Sequence, residues 1–364
     1  MKLKYYLLKN ILSENAEYNL IIGERSNGKT YACLKYALED YYNNGNEFVY
    51  LRRWKDDIQT KRADAVFASL VANGEIEKIT NGEYNNIMFY RGRWSLANYD
   101  SETKKMTASK KTACYAMSLS DAEHDKSTSY PKVTNIIFDE FLTRQYYMPD
   151  EFVIFMNVLS TIIRDRKNVK IFMLGNTVNK FCPYFDEMGL SNITTQKQDT
   201  IDVYTYGDSG LRVAVEYCGT IQKKKASNKY FAFNNPKLNM IKSGAWEIAL
   251  YPHLQAGQKI KQSDIMFSFT ISFAHKLIQG DVIYNDNGSF IFFHWRTSEV
   301  KDNEILYTLD YTTSNYRRKC FAYKSDKIDS KITSYFAMKK VFYQSNDIGE
   351  IVKNYLAECV KKDI

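Results

Sequence analysis

Gly23-Glu24-Arg25-Ser26-Asn27-Gly28-Lys29-Thr30 satisfies the pattern G-x-x-x-x-G-K-[ST]. That spacing suits one task, the holding of a polyphosphate. Backbone N–H groups must converge on phosphate oxygens, and the glycines let the loop bend and approach them closely. Lys29 supplies a charge toward the β- and γ-phosphates, and Thr30 offers a hydroxyl to Mg²⁺. A helix opening at the loop adds the positive end of its dipole. At ordinary residue frequencies a chain of this length carries the pattern by chance about once in 100 cases. The expected ligands are ATP and Mg²⁺.

A second group belongs with the loop. Val133-Thr134-Asn135-Ile136-Ile137-Phe138 is an apolar run that ends in Asp139-Glu140. As a buried strand it delivers Asp139 to the carboxyl end of a sheet, where α/β folds bind ligands and where the carboxylate can hold Mg²⁺. Glu140 then faces the γ-phosphate and can orient or deprotonate a water, a contribution of about 10² to 10⁴ in rate. A kinase must exclude water, so a glutamate aimed at water favours hydrolysis. Asn176, in Leu174-Gly175-Asn176-Thr177, is either a turn former or a sensor of the γ-phosphate. Arg164 and Arg166 either satisfy a helix C-terminus or reach into a neighbouring subunit as an arginine finger, worth about 10³ to 10⁵. Arg52, Arg53, Trp54 and Lys55 end a strand and face nucleotide, neighbour, nucleic acid or solvent. His124, His253, His275 and His294 show no metal-ligand spacing.

These groups need a frame. Tyr18–Ile22, Phe48–Leu51, Val133–Phe138 and Val169–Leu174 read as strands. Between them lie a helix after the phosphate loop, stopped at Asn43-Asn44-Gly45, and another opened by Pro149-Asp150-Glu151 with an apolar face through Phe155, Leu159 and Ile162. Such alternation predicts an α/β fold: a P-loop NTPase of the ASCE type, with a largely parallel sheet and flanking helices. From 217 to 246 there is no Asp or Glu but there are six lysines. Beyond it strands dominate, over Ile265–Phe273, Asp281–Asn285, Ser289–Trp295 and Ile305–Tyr311, with a hairpin turn at Asn285-Asp286-Asn287-Gly288. Helices are expected over Ile332–Gln344 and Ile348–Lys361. The organisation is therefore an ATPase domain at 1–216, a basic linker or subdomain at 217–246 and a smaller α+β domain at 247–364.

The 364 residues fit two domains. With 45% hydrophobic and 25% charged residues the chain is ordinary globular stock, not disordered, collagenous or coiled-coil. Its 6 cysteines form no C-x-x-C pair, against a disulfide framework or a structural zinc site. No run of 18 apolar residues exists, so no membrane span is expected, and the apolar start broken by Lys9 is too short for a signal peptide. A net charge of +8 permits a polyanionic partner.

The stretches IIGERSNGKTYA, FVYLRRWK, STSYPKVTNIIFDEF, IIRDRKNVKIFMLGNTV and CPYF occur in this order over the first 190 or so residues. Here the chain resembles the DNA-packaging ATPases, or encapsidation proteins, of small φ29-type tailed phages. The resemblance implies a homo-oligomeric ring, of five subunits, docked on the portal (connector) of a procapsid in the host cytoplasm. ATP hydrolysis in that ring translocates double-stranded DNA. It assigns nucleotide binding to Gly23 through Thr30, the metal to Thr30 and Asp139, and catalysis to Glu140 and Lys29. Arg164 takes the place of a trans-acting finger. Lys126 in DKSTSYP is placed near the subunit interface with Arg166, and Arg53 in the basic pair after the second strand. The second half matches weakly. There the resemblance implies a degenerate RNase H-like nuclease fold, in which Asp281, Asp286 and Asp310 compose no evident two-metal set, and a structural RNA partner. Two other readings stay open: a helicase or other nucleic-acid-stimulated ATPase, and a non-catalytic, nucleotide-switched module that docks on the portal.

Overall fold

The computed structural model describes residues 6–125, 129–143, 147–177, 182–219, 246, 251–255, 257–273, 276–286, 288–310, 317–318 and 327–361. Lys126, His275 and the lysine-rich 220–245 lie outside them. The chain divides into two units, Met1–Glu247 and Ile248–Ile364.

Ten strands build the sheet of the first unit: β1 (Tyr18–Gly23), β2 (Glu47–Arg52), β3 (Asn86–Tyr90), β4 (Arg93–Asp100), β5 (Lys105–Ala108), β6 (Cys114–Ser118), β7 (Val133–Asp139), β8 (Lys170–Asn176), β9 (Thr200–Tyr206) and β10 (Leu211–Tyr217). Their order is β3-β4-β6-β2-β7-β8-β1-β10-β9, with β5 on β4. The run from β6 to β10 is parallel throughout. β1 and β7 are buried at every residue, as strands must be when both faces of a parallel sheet are covered.

Alternate residues of each strand enter opposite cores. Leu20, Ile22, Ile136, Phe138, Ile171 and Met173 join Phe155, Leu159 and Ile162 of the helix Glu151–Ile163. Ile21, Ile137, Phe172 and Leu174 join Leu34, Ala37 and Leu38 of the helix Lys29–Asn44. The two helices thus grip the sheet from opposite sides, and register aligns its functional ends: Gly23 lies opposite Asn176, and Asp139 opposite Leu174. β8 stands between the loop strand β1 and the acidic strand β7.

The antiparallel insert β3–β5 and the short helices between 60 and 79 had no counterpart in the expected pattern. Trp94 organises them. Its ring meets Tyr50 and Phe67 edge-on, at 6.0 and 5.5 Å, and its indole N–H donates to the Ala63 carbonyl at 3.1 Å.

In the second unit, β11 (Ile265–Phe273), β12 (Lys276–Asn285), β13 (Gly288–Trp295), β14 (Leu306–Thr308), β15 (Arg317–Arg318) and β16 (Val341–Tyr343) follow the order β15-β14-β11-β12-β13-β16. Three antiparallel strands are continued by β14 and β15, parallel to β11 on its open side. The parallel strand β16 extends this sheet beyond β13. Asp281 is saturated: Ser268 Oγ and Gln279 Nε2 donate to one oxygen at 2.7 and 2.8 Å, and His294 Nε2 lies 2.9 Å from the other. Among the described residues no cluster of three potential metal ligands occurs. The helix expected over Ile332–Gln344 is corrected. It spans Lys327–Ala337. Lys339 takes a positive φ of 56° and breaks it, and Val341-Phe342-Tyr343 then pairs with β13 as β16. Two aromatics and a β-branched residue fit a strand edge better than a helix end.

Candidate active site

The phosphate loop leaves β1 and turns into the helix Lys29–Asn44 through Gly28, whose φ of +93° only glycine adopts without strain. Ser26, at φ +59°, completes the bend. The loop from Arg25 to Tyr31, together with Asp139, Glu140, Leu174, Gly175 and Asn176, lines a cavity of about 340 Å³. That size suits a small ligand. Gly23 and Glu24 lie behind the loop, outside this lining.

Lys29 is folded into the site. Its Nζ donates to the Glu24 carbonyl at 2.7 Å and to Asn176 Oδ1 at 3.4 Å. Burial holds the ammonium below its usual range, while Cys218 and Asp139 draw it back up. Thr30 Oγ1 lies 3.2 and 3.1 Å from the two carboxylate oxygens of Asp139. A hydroxyl facing a carboxylate is a hard oxygen pair that suits Mg²⁺. From the other side the buried Tyr50 hydroxyl donates to Asp139 Oδ2 at 2.9 Å. Burial, and then the charge of Asp139, push this phenol well above its ordinary value, so it stays a donor.

Glu140 has a backbone φ of +59°. Its carboxylate is 57% exposed and receives Arg52 Nη2 at 2.5 Å. Burial works against the Arg52 charge, but Tyr50, Glu140 and Asp139 outweigh it and hold the guanidinium above its normal range.

Arg53, expected among the nucleotide contacts, points elsewhere. It does not line the cavity. Its guanidinium makes a two-pronged pair with Glu151, at 2.8 and 2.9 Å, and is 5% exposed as a residue. Two residues thus escaped sequence reasoning. Tyr50 looked like one more apolar strand residue, and Glu151 like an acid at the positive end of a helix. A tyrosine at the end of a strand beside the acidic one was the signal available for the first.

The arginines after the helix Glu151–Ile163 part company. Arg166 caps that helix and ties it to β7: its side chain donates to the carbonyls of Ile162, Ile163, Pro131 and Val133. These bonds match the helix C-terminus alternative read from sequence. Arg166→Ala is expected to cost about 1–3 kcal/mol, the usual worth of hydrogen bonds from a charged group. Thermal denaturation would register this as a fall of roughly 2–8 °C in Tm. Arg164 is exposed. The helix before it has 13 residues and leads back from the carboxyl end of β7, so Arg164 stands about 20 Å from its start, toward the amino end of β7, where Arg166 bonds to Val133.

A cavity lined by a glycine-bearing loop, with a threonine facing the aspartate of a strand two places away, defines the P-loop NTPase class. Within that class the chain belongs to the podovirus DNA encapsidation protein (Gp16) family, whose pattern matches residues 1–205. The DNA packaging protein of Bacillus phage B103 is 31% identical over 183 residues, 50% of either chain. That of Bacillus phage phi29 is 28% identical over 184 residues, 50% of this chain and 49% of that one. The chain thus spans about half the length of the curated relatives it matches. In fold it resembles a chain of the bacteriophage phi-29 viral genome packaging motor assembly, with a TM-score of 0.61 at 19% identity over 98% of this chain and 99% of that one. A chain of the phi-28 gp11 DNA packaging motor gives 0.53 at 18% identity over 98% of each.

Proposed function

We propose that this chain is an ATP hydrolase that drives double-stranded DNA through the portal of a phage procapsid, working as a ring of identical subunits, five in number. One observation carries the reading. Lys29 with Asn176, and Thr30 with Asp139, meet at one end of the sheet, with Glu140 beside them on the rim of the same cavity. Membership of the encapsidation family supports the DNA and portal partners. The ATPase domain is taken as 1–216, followed by a basic connection at 217–246 and a vestigial nuclease-like domain at 247–364.

In this reading the segment Gly23 to Thr30 forms the phosphate loop, the amides from Arg25 onward and the Lys29 ammonium hold the triphosphate, and Asn176 senses its γ-phosphate. Thr30 and Asp139 would hold Mg²⁺, which when bound neutralises charge on the β- and γ-oxygens. Glu140 accepts the proton of the attacking water. Arg164 enters from the next subunit. Contact with DNA runs through phosphates, so it is indifferent to sequence and sensitive to salt.

The purified protein should release phosphate from ATP faster with duplex DNA and empty procapsids than alone. Its DNA affinity should drop about 10³-fold or more between 50 and 200 mM salt if six or more phosphates are neutralised. Unchanged phosphate release in the presence of both partners, or marked sequence preference in binding, would rule out a translocating motor.

A further inference from the structure

The turn that carries Glu140 is held from two sides. On one side Phe141 N–H donates to the Leu174 carbonyl at 3.2 Å, and the turn packs so closely on β8 that a Cβ at Gly175 would meet Leu142 at 2.7 Å and Phe141 at 2.9 Å. On the other side stands Arg53. Its Nη1 donates to the Glu140 carbonyl at 3.1 Å and its Nη2 to the Phe141 carbonyl at 2.5 Å. The remaining face of the guanidinium meets Glu151, whose side chain is 0% exposed, and Tyr147 lies beneath it with its ring centre 5.0 Å away. Glu151 in turn accepts from the Tyr184 hydroxyl and the Met148 N–H, both at 2.8 Å.

Every polar atom of this pair is engaged, and the surroundings are apolar. Arg52 and Arg53, adjacent in sequence, therefore divide one residue between them: the first takes the Glu140 side chain and the second its backbone. A non-glycine residue at φ +59° keeps that conformation only where its surroundings overdetermine it. The carbonyls of the 140–141 and 141–142 peptides, both held by Arg53, are where such control is exerted.

We infer that Arg53 and Glu151 form a buried clamp that positions the Asp139–Leu142 turn, and with it the Glu140 carboxylate, for water activation. They are positioning residues: neither lines the nucleotide cavity. The inference rests on the reading of Glu140 as the base. It also links the catalytic turn to the first residue of the helix that ends at Arg164.

A misplacement of about 1 Å in a reacting group can cost about 10²-fold in rate, and a loss of this size in kcat is the expected effect of cutting the clamp. Arg53→Met alone strands Glu151 as an unpaired buried charge and damages folding, so it is made together with Glu151→Met. A buried ion pair replaced by apolar groups of similar volume commonly keeps its stability. The full-length Arg53→Met/Glu151→Met protein gives up the bonds to the Glu140 and Phe141 carbonyls, the Tyr184 hydroxyl and the Met148 N–H, so it should melt a few degrees below wild type; assayed well below that Tm, it should bind a fluorescent ATP analogue with unchanged Kd. Its kcat should stay about 10²-fold low. Wild-type kcat in this variant would overturn the inference and leave the pair a packing feature.

Arg53→Lys is the second variant. It keeps the charge but not the planar fork that reaches two carbonyls and both oxygens of Glu151. It should lower kcat without raising KM; a rise in KM alone would count against a role at the turn. Finally, Arg53→Lys added to Glu140→Gln should cost nothing more, since groups acting through one another are not additive. A further 10²-fold loss would show Arg53 acting independently of Glu140. Failure of the underlying reading would look different: wild-type protein without turnover, or Glu140→Gln with normal turnover.

Discussion

Glu140→Gln is expected to lower kcat for ATP hydrolysis by about 10² to 10⁴ while leaving ATP affinity within a few-fold. The substitution keeps size and hydrogen-bonding capacity but removes the site that accepts the proton. The groups proposed to hold phosphate, Lys29, Thr30 and the loop amides, are other atoms of the site. Single-turnover phosphate release, read beside equilibrium binding of a fluorescent nucleotide, separates the two effects. Turnover within 3-fold of wild type, about 0.6 kcal/mol of barrier, would remove Glu140 from the role of base. Loss of binding with loss of turnover would instead mean that the carboxylate shapes the cavity, through its pairing with Arg52.

Arg164→Ala should reduce kcat by about 10³ to 10⁵ in rings made only of that variant, the range for an arginine finger. The geometry makes the reason specific. Within its own chain Arg164 stands a helix length from the catalytic turn, about 20 Å along the sheet. A role in phosphoryl transfer then requires the site of a neighbour. Rings mixed from Arg164→Ala and Lys29→Ala subunits should recover activity, because at some interfaces an intact loop meets an intact arginine. Mixed rings as inactive as either parent would refute action in trans. Arg164 also adopts φ 52°, ψ −124°, a region costly for any residue but glycine. Strain of that kind, at a position that shapes no core, is in keeping with a side chain presented outward.

Much of this site was legible in the sequence because its chemistry depends on short, contiguous stretches. The loop from Gly23 to Thr30, the apolar run into Asp139-Glu140 and the run into Asn176 each place a group at a strand end, and parallel register then assembles them. The two faces of the sheet were legible too, from the apolar stripes of the helices that follow the phosphate loop and Pro149. What stayed hidden depends on contacts distant in sequence. Glu151 carries the marks of an ordinary helix-opening acid, and only folding reveals that it turns inward to Arg53, 98 residues away. Arg53 next to Arg52 suggested a ligand contact, yet the strand's alternation sends the two side chains different ways. The insert β3–β5 was missed although Arg93-Trp94-Ser95-Leu96 alternates as a strand should; its strands are short, and Trp94 finds its partners only in tertiary packing. In the second unit, Val341–Tyr343 continued a plausible helical pattern until Lys339 broke it.

The Lys29 ammonium does not wait in solvent. It sits 6% exposed as a residue, tethered to a carbonyl of its own loop and to the amide of Asn176. Most of the cost of stripping water from that cation falls on folding, once, and is not repeated with each arriving nucleotide. Phosphate capture at this site would be an exchange of partners by an ammonium already held in place. Under the ATPase cycle proposed above, a cation desolvated once at folding would serve every turnover without that cost being met again.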